Sequence, residues 1–159
     1  MTTTLRWPAS PDDVVAARLD EDFLAEVCRR TGALEHSVAV DGLRTVVTRV
    51  MPTDRFPDFA RRLTGERLSL TETTTWAPDA QPDGARTGVI ELEVAGAPVR
   101  ARFTTAVRPA GGGAEEHVQG EVTAKVPLVG GRVEKAVVPG IEAALAAQVD
   151  TYEAWRGRG

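Results

Sequence analysis

The longest helical period in the sequence comes near the C-terminus, after a series of strands, and that order limits the folds open to it. From residue 34 to about residue 126, apolar residues recur at every second position in short runs. From Arg132 to Trp155 they recur at every third or fourth: Val133, Val137, Ile141, Ala144, Leu145, Gln148, Tyr152 and Trp155 form one stripe. At about 1.5 Å per residue that helix is roughly 36 Å long, enough to cross a sheet. Pro139 lies inside it, lacks a backbone donor and crowds the preceding turn, so a kink or a restart is expected there.

The runs before it read as strands. Thr2–Trp7 alternates and stops at Pro8. Ser10 then caps a short helix through Pro11, Val14, Val15, Ala17 and Arg18, and Asp20 caps a second carrying Phe23, Leu24 and Val27. Leu34, His36, Val38 and Val40 share one face of the next strand, and Asp41-Gly42 turns it into a return strand, Leu43–Met51. Pro52–Thr64 reads as a helical insertion, with Phe56, Phe59, Ala60 and Leu63 at helical spacing. Strands Glu66–Trp76, Arg86–Val94, Val99–Arg108 and Glu115–Val126 follow, joined by turn-rich loops. Antiparallel strands with one apolar face need one cover, and only the last helix is large enough to supply it. The expected fold is therefore α+β of the helix-grip type. A curved antiparallel sheet of about seven strands wraps around a long C-terminal helix, with two short helices after the first strand.

With 159 residues, 42% hydrophobic and 26% charged, the chain can bury a core without staples. A net charge of −4 argues against a nucleic-acid partner. No apolar leader, no run of about 18 apolar residues and a single cysteine, Cys28, lead to the expectation of a cytoplasmic protein that does not span a membrane. Arginine supplies 17 of the 19 basic residues, which reads as coding bias rather than chemistry.

The order of elements resembles the START-like, or SRPBCC, superfamily of ligand-binding domains. The stretches Glu26-Val27-Cys28-Arg29-Arg30-Thr31-Gly32-Ala33-Leu34 and Lys125-Val126-Pro127-Leu128-Val129-Gly130-Gly131-Arg132-Val133-Glu134-Lys135 resemble an actinobacterial family of unknown function within it, and Pro52-Thr53-Asp54 fits the same pattern. The resemblance runs over nearly the whole chain, so residues 1–159 are expected to form a single START-like domain. It implies a hydrophobic cavity between sheet and long helix, and it carries over no catalytic residues.

Polar residues on inward-pointing faces mark the candidate site. His36 lies between Leu34 and Val38, Glu72 between Leu70 and Thr74, and Thr105 follows Phe103. With Trp76 and Tyr152, the expected pocket lining is His36, Glu72, Thr74, Trp76, Phe103, Thr105 and Tyr152. A buried carboxylate costs several kcal/mol unless paired or protonated, so Glu72 needs a partner such as Arg49, a cavity, or solvent. Phe56, Phe59 and Leu63 would form an aromatic lid at one mouth. Two histidines without ligand spacing suggest no metal, and nothing suggests a cofactor. Cys28 and His36 could be weighed as a dyad, but a lone cysteine beside Val27 reads as a small core side chain.

Three functions follow from this reading. The first is binding of a small hydrophobic molecule, lipid-like or aromatic and polyketide-like, favoured by wide apolar faces and few catalytic residue types. The second is a polyketide cyclase-like enzyme using His36 and Glu72, which sit on strands separated by Leu43–Met51. The third is a filled-core protein-interaction module offering a sheet edge or the Arg100, Arg102 and Arg108 row. Interior volume discriminates them, and inward-facing Gly88, Ala101 and Ala124 lean towards space.

Overall fold

The computed structural model describes residues 1–156. Strand β1 (Thr2–Trp7) leads into α1 (Pro11–Arg18) and α2 (Glu21–Arg30), and then β2 (Glu35–Asp41) and β3 (Arg44–Pro52). Helix α3 (Asp58–Thr64) precedes β4 (Arg67–Trp76), β5 (Arg86–Val94), β6 (Val99–Ala110) and β7 (Gly113–Ala124), and α4 (Gly130–Arg156) is the last described element. The seven strands form one antiparallel sheet in the order β1-β7-β6-β5-β4-β3-β2. This is the helix-grip arrangement expected from the alternation of periods.

Local chemistry sets the boundaries. Ser10 Oγ accepts from Asp13 N and Asp20 Oδ1 from Phe23 N, so both short helices have capped first turns. The inserted helix begins at Asp58 rather than Pro52, because Pro52 still belongs to β3 and Thr53 is tied across to the far end of the insertion. Thr53 N donates to Glu66 O and Thr53 Oγ1 to Gly65 O at 2.6 Å.

Helix α4 runs unbroken through Pro139. Pro139 and Gly140 are exposed, so the carbonyl left without its helical donor can turn to water. The helix packs against α2, β7 and β1 rather than over the middle strands. The apolar interior consequently forms two clusters. The larger joins Trp7, Val14, Phe23, Trp76, Phe103, Val107, Val118 and Leu145. The smaller, Val99, Ala124 and Val133, sits at the start of α4 with Phe59, Val126 and Val129 packed on it.

A buried ion pair runs through the larger cluster. Arg18, at the end of α1, donates from Nη2 to Glu116 Oε1 at 3.0 Å and from Nε to Gln148 Oε1 at 2.8 Å. Glu116 also accepts from Trp7 Nε1 at 3.0 Å and from Thr105 Oγ1. The Arg18 guanidinium lies over the rings of Trp7 and Trp76, with centroids 5.0 and 5.8 Å away. Burial by itself would raise the Glu116 pKa. The Arg18 charge and the hydrogen bonds from Arg18, Thr105 and Trp7 outweigh it and hold the carboxyl below its ordinary range.

Two consequences can be measured. Glu116→Gln or Arg18→Met strands one buried partner and should cost about 3–5 kcal/mol in chemical denaturation, while the double variant Arg18→Met/Glu116→Leu recovers only part of that loss, because Trp7 Nε1, Thr105 Oγ1 and Gln148 Oε1 lose their partners. Because the folded pKa of Glu116 is depressed, the unfolded chain binds the extra proton. The pair's contribution should be whole at neutral pH and disappear as pH falls through the acid range, giving the wild type a steeper acid limb than the double variant.

Candidate functional site

Cross-strand register assembles the inner face one row at a time. Val38, Val47, Glu72, Leu92, Ala101 and Val122 are successive partners across six strands, so Glu72 is the single charge in an apolar row. One row away, Arg49 pairs with Leu70 on β4 and with His36 on β2. Arg49 is therefore placed to reach Glu72, and its Nη2 donates to Glu72 Oε2 at 3.0 Å. Both side chains are 14% exposed, so the pair is shielded without being sealed.

Beside it lies an interior cavity of about 20 Å³ between α2, α4 and β3–β5. Its polar lining is Arg18, Thr45, Arg49, Glu72, Thr74 and Gln148, and its apolar lining is Leu24, Val27, Val47 and Ile90. That volume is about one water molecule's worth. The space suggested by inward-facing Gly88 has been taken up by an aromatic ring. A Cβ on Gly88 would lie 2.9 Å from Trp76 Cε3, and one on Gly120 would meet the Arg102 carbonyl oxygen first and then Phe103.

Glu72 and Thr74 line the cavity. His36 shares their face but is exposed on the edge strand β2, and it does not line the cavity. Trp76 and Phe103 are buried core side chains. Thr105 is committed to Glu116. Tyr152 belongs to an aromatic cluster, edge-on to Trp7 at 5.9 Å and to Phe23 at 6.3 Å.

The expected lid residues are placed differently from one another. Phe59 packs on the smaller cluster beneath the Arg132 guanidinium, 4.2 Å from its ring centre, whereas Leu63 is 36% exposed and Phe56 half-buried. Sequence reasoning missed Glu116 and the role of Arg18. Counting back two from Val118 puts Glu116 on the inner face, which was the available signal.

Cys28 is buried against the same region. Burial pushes its thiol up from the ordinary 9.0, Glu72 pushes the same way, and the neighbouring Arg49 only partly opposes them. The thiol stays protonated at neutral pH and is a core side chain rather than a nucleophile. Among the described residues, no cluster of three metal-ligating side chains occurs. No helix there is long and apolar enough to cross a membrane.

This geometry can be compared with known proteins. The profile of the family described as "Protein of unknown function (DUF2505)" matches residues 2–155, and the chain belongs to that family. No curated protein matches the chain in sequence. Among solved structures, the Thermus thermophilus protein TTHA0849 is similar with a TM-score of 0.63 at 17% identity, covering 97% of this chain and 94% of that one. Norcoclaurine synthase from Thalictrum flavum, solved in complex with dopamine and hydroxybenzaldehyde, has a TM-score of 0.60 at 16% identity over 98% of this chain and 86% of that one. A Rhizobium leguminosarum protein has a TM-score of 0.59 at 12% identity over 100% and 94%. These likenesses establish a common fold.

Thiol labelling checks the Cys28 environment. Native protein at neutral pH should resist alkylation and react fully once unfolded, and Arg49→Met, which removes the cation opposing the shift, should not make the thiol more reactive.

Proposed function

We propose that this member of the family binds a small, mainly hydrophobic molecule, lipid-like or aromatic, between the inner face of the sheet and α4. In this reading a polar group on the ligand meets the Arg49–Glu72 pair. The observation that carries it is the state of the inner face between the two core clusters. Leu92, Val122 and Ile141 point inward and pack against the core, yet they stay only partly buried. Leu92 is the register partner of Glu72, so apolar surface reached by solvent adjoins an accessible ion pair. An apolar surface with a few convergent polar groups suits a small ligand.

The 20 Å³ cavity means that a ligand must make room for itself. The part of α4 before Pro139 can yield, because it rests on the small Val99–Ala124–Val133 cluster, while the part after it is held by Leu145 and Gln148. The proximity of acid and base that a cyclase would require finds less support. Glu72 is engaged by Arg49, and His36 is exposed at the sheet edge. A filled-core interaction module is favoured by a different observation, the aromatic ring that occupies the space beside Gly88.

Native mass spectrometry of the purified protein, with solvent extraction, separates these readings. A stoichiometric hydrophobic adduct supports binding. A bare mass, with no rise in Tm across a panel of fatty acids and aromatic ketones, leaves the filled core. Leu92→Trp fills the space a ligand would have to open and should abolish binding, at a stability cost of about 1–3 kcal/mol from overpacking.

A further inference from the structure

One end of the molecule presents an exposed leucine in an unfavourable backbone conformation. Leu128 has φ +69° and is the only non-glycine residue at positive φ among the described residues. It is also fully exposed, at 104% of its reference area. That region suits glycine or asparagine, and leucine gains no local hydrogen bond there. Nothing inside the protein rewards its side chain.

The loop around Leu128 packs on the protein through its two valines, and Leu128 projects outward from between them. Val126 and Val129 pack on the smaller cluster with Phe59, and Gly130 N donates to Val126 O at 2.9 Å. Helix α3 meets the same cluster through Phe59 and exposes Leu63, one turn further along.

The two segments that meet at this end are rich in cations. Residues 53–67 and 125–135 carry seven arginines and lysines against four carboxylates, in a chain whose net charge is −4. Lys125 and Lys135, the only lysines in the sequence, bracket the loop, and both are exposed. Arg62 and Arg132 are exposed as well, and the nearest ion pair on α3, Arg61 to Asp58, is stretched to 4.0 Å. The two segments together therefore keep a net charge of 7 − 4 = +3.

We propose that this end docks on an anionic lipid bilayer, with Leu128 and Leu63 entering the headgroup layer while the cations meet lipid phosphates and carboxylates. A narrow apolar tip in cation-rich segments fits a bilayer, which admits a projecting side chain anywhere on its surface. A stable protein partner would need a broad complementary area. One apolar anchor alone is marginal, and apolar insertion together with a basic patch supplies the two signals that hold a peripheral protein.

Vesicle flotation of the full chain tests this, comparing phosphatidylcholine vesicles with equimolar phosphatidylcholine and phosphatidylserine. Binding is expected to the anionic vesicles only. It should weaken as salt rises from about 0.01 M to about 1 M, where the Debye length falls from ~30 Å to ~3 Å. Leu128→Gly relieves the backbone conformation, so its Tm should hold or rise while its partitioning falls at least about tenfold, the loss expected for one leucine. Lys125→Glu/Lys135→Glu should remove most of the salt-sensitive part. Failure of the wild type to float with anionic vesicles would overturn the proposal in favour of an acidic protein surface. Equal binding to neutral vesicles, or unchanged partitioning of Leu128→Gly, would overturn it too.

Discussion

The ion pair between Arg18 and Glu116 is the contact on which the packing of this fold turns. It ties the first helix to the last strand, and through Trp7, Thr105 and Gln148 it adds β1, β6 and α4 to the same network. The N-terminal and C-terminal parts are thereby joined twice. The backbone joins them where β1 pairs along β7, and the side chains join them beneath that pairing. A charge pair this deep is weak evidence of net stabilisation, since desolvation offsets much of the attraction. Its geometry is directional. Arg18 over two indoles, with its guanidinium donors spent on Glu116 and Gln148, fits one docking of α1 against the sheet and penalises others.

That arrangement leaves the molecule unevenly consolidated. Around Glu116 the interior is aromatic, sealed and cross-linked by hydrogen bonds. Towards the start of α4 it thins to three small side chains, Val99, Ala124 and Val133. The long helix bridges both regions, firmly seated by Leu145, Gln148 and Thr151 at one end and lightly at the other. Local opening is drawn from parts with few buried contacts, so α4 before Pro139 and the loop leading into it are where motion is least costly. The Arg49–Glu72 pair sits between these regimes, buried enough for its charges to be felt and open enough to be reached.

The fold was legible because its signals were periodic. Alternation in six runs, the Asp41-Gly42 turn and the three-to-four spacing after Arg132 each specify a local geometry, and together they leave one way to cover the sheet. Which strand positions share a face followed from the same alternation, and so did the Arg49 option for Glu72. Other features were hidden because they depend on side chains meeting across long separations. Arg18 and Glu116 are 98 residues apart, and only the assembled sheet brings them together. Interior volume was hidden for a related reason. Glycine on an inner face reads as space in sequence, yet at Gly88 the ring of Trp76 leans into that space from the neighbouring strand. His36 shows the converse, since alternation gives its face but not that β2 is an edge strand open to solvent.

The two inner-face ion pairs are best understood as one chemistry at two depths. Both join an arginine to a glutamate, and both glutamates lie on inward positions of the sheet. Glu116 is wholly buried and accepts from three different residues, so its hydrogen-bonding capacity is used within the protein. Among the described residues, Glu72 has a side-chain hydrogen bond from Arg49 only, beside a cavity the size of one water and next to partly exposed Leu92. A carboxylate has about four acceptor positions, so Glu72 keeps capacity to spare where Glu116 has little. A polar group arriving with a hydrophobic molecule could be met by Arg49 and Glu72 without dismantling the core, whereas at Arg18 and Glu116 it would have to break the network that positions α1. The acceptor capacity still free on the inner face therefore lies on the β3–β4 side, and the Glu116 network is already committed to holding α1.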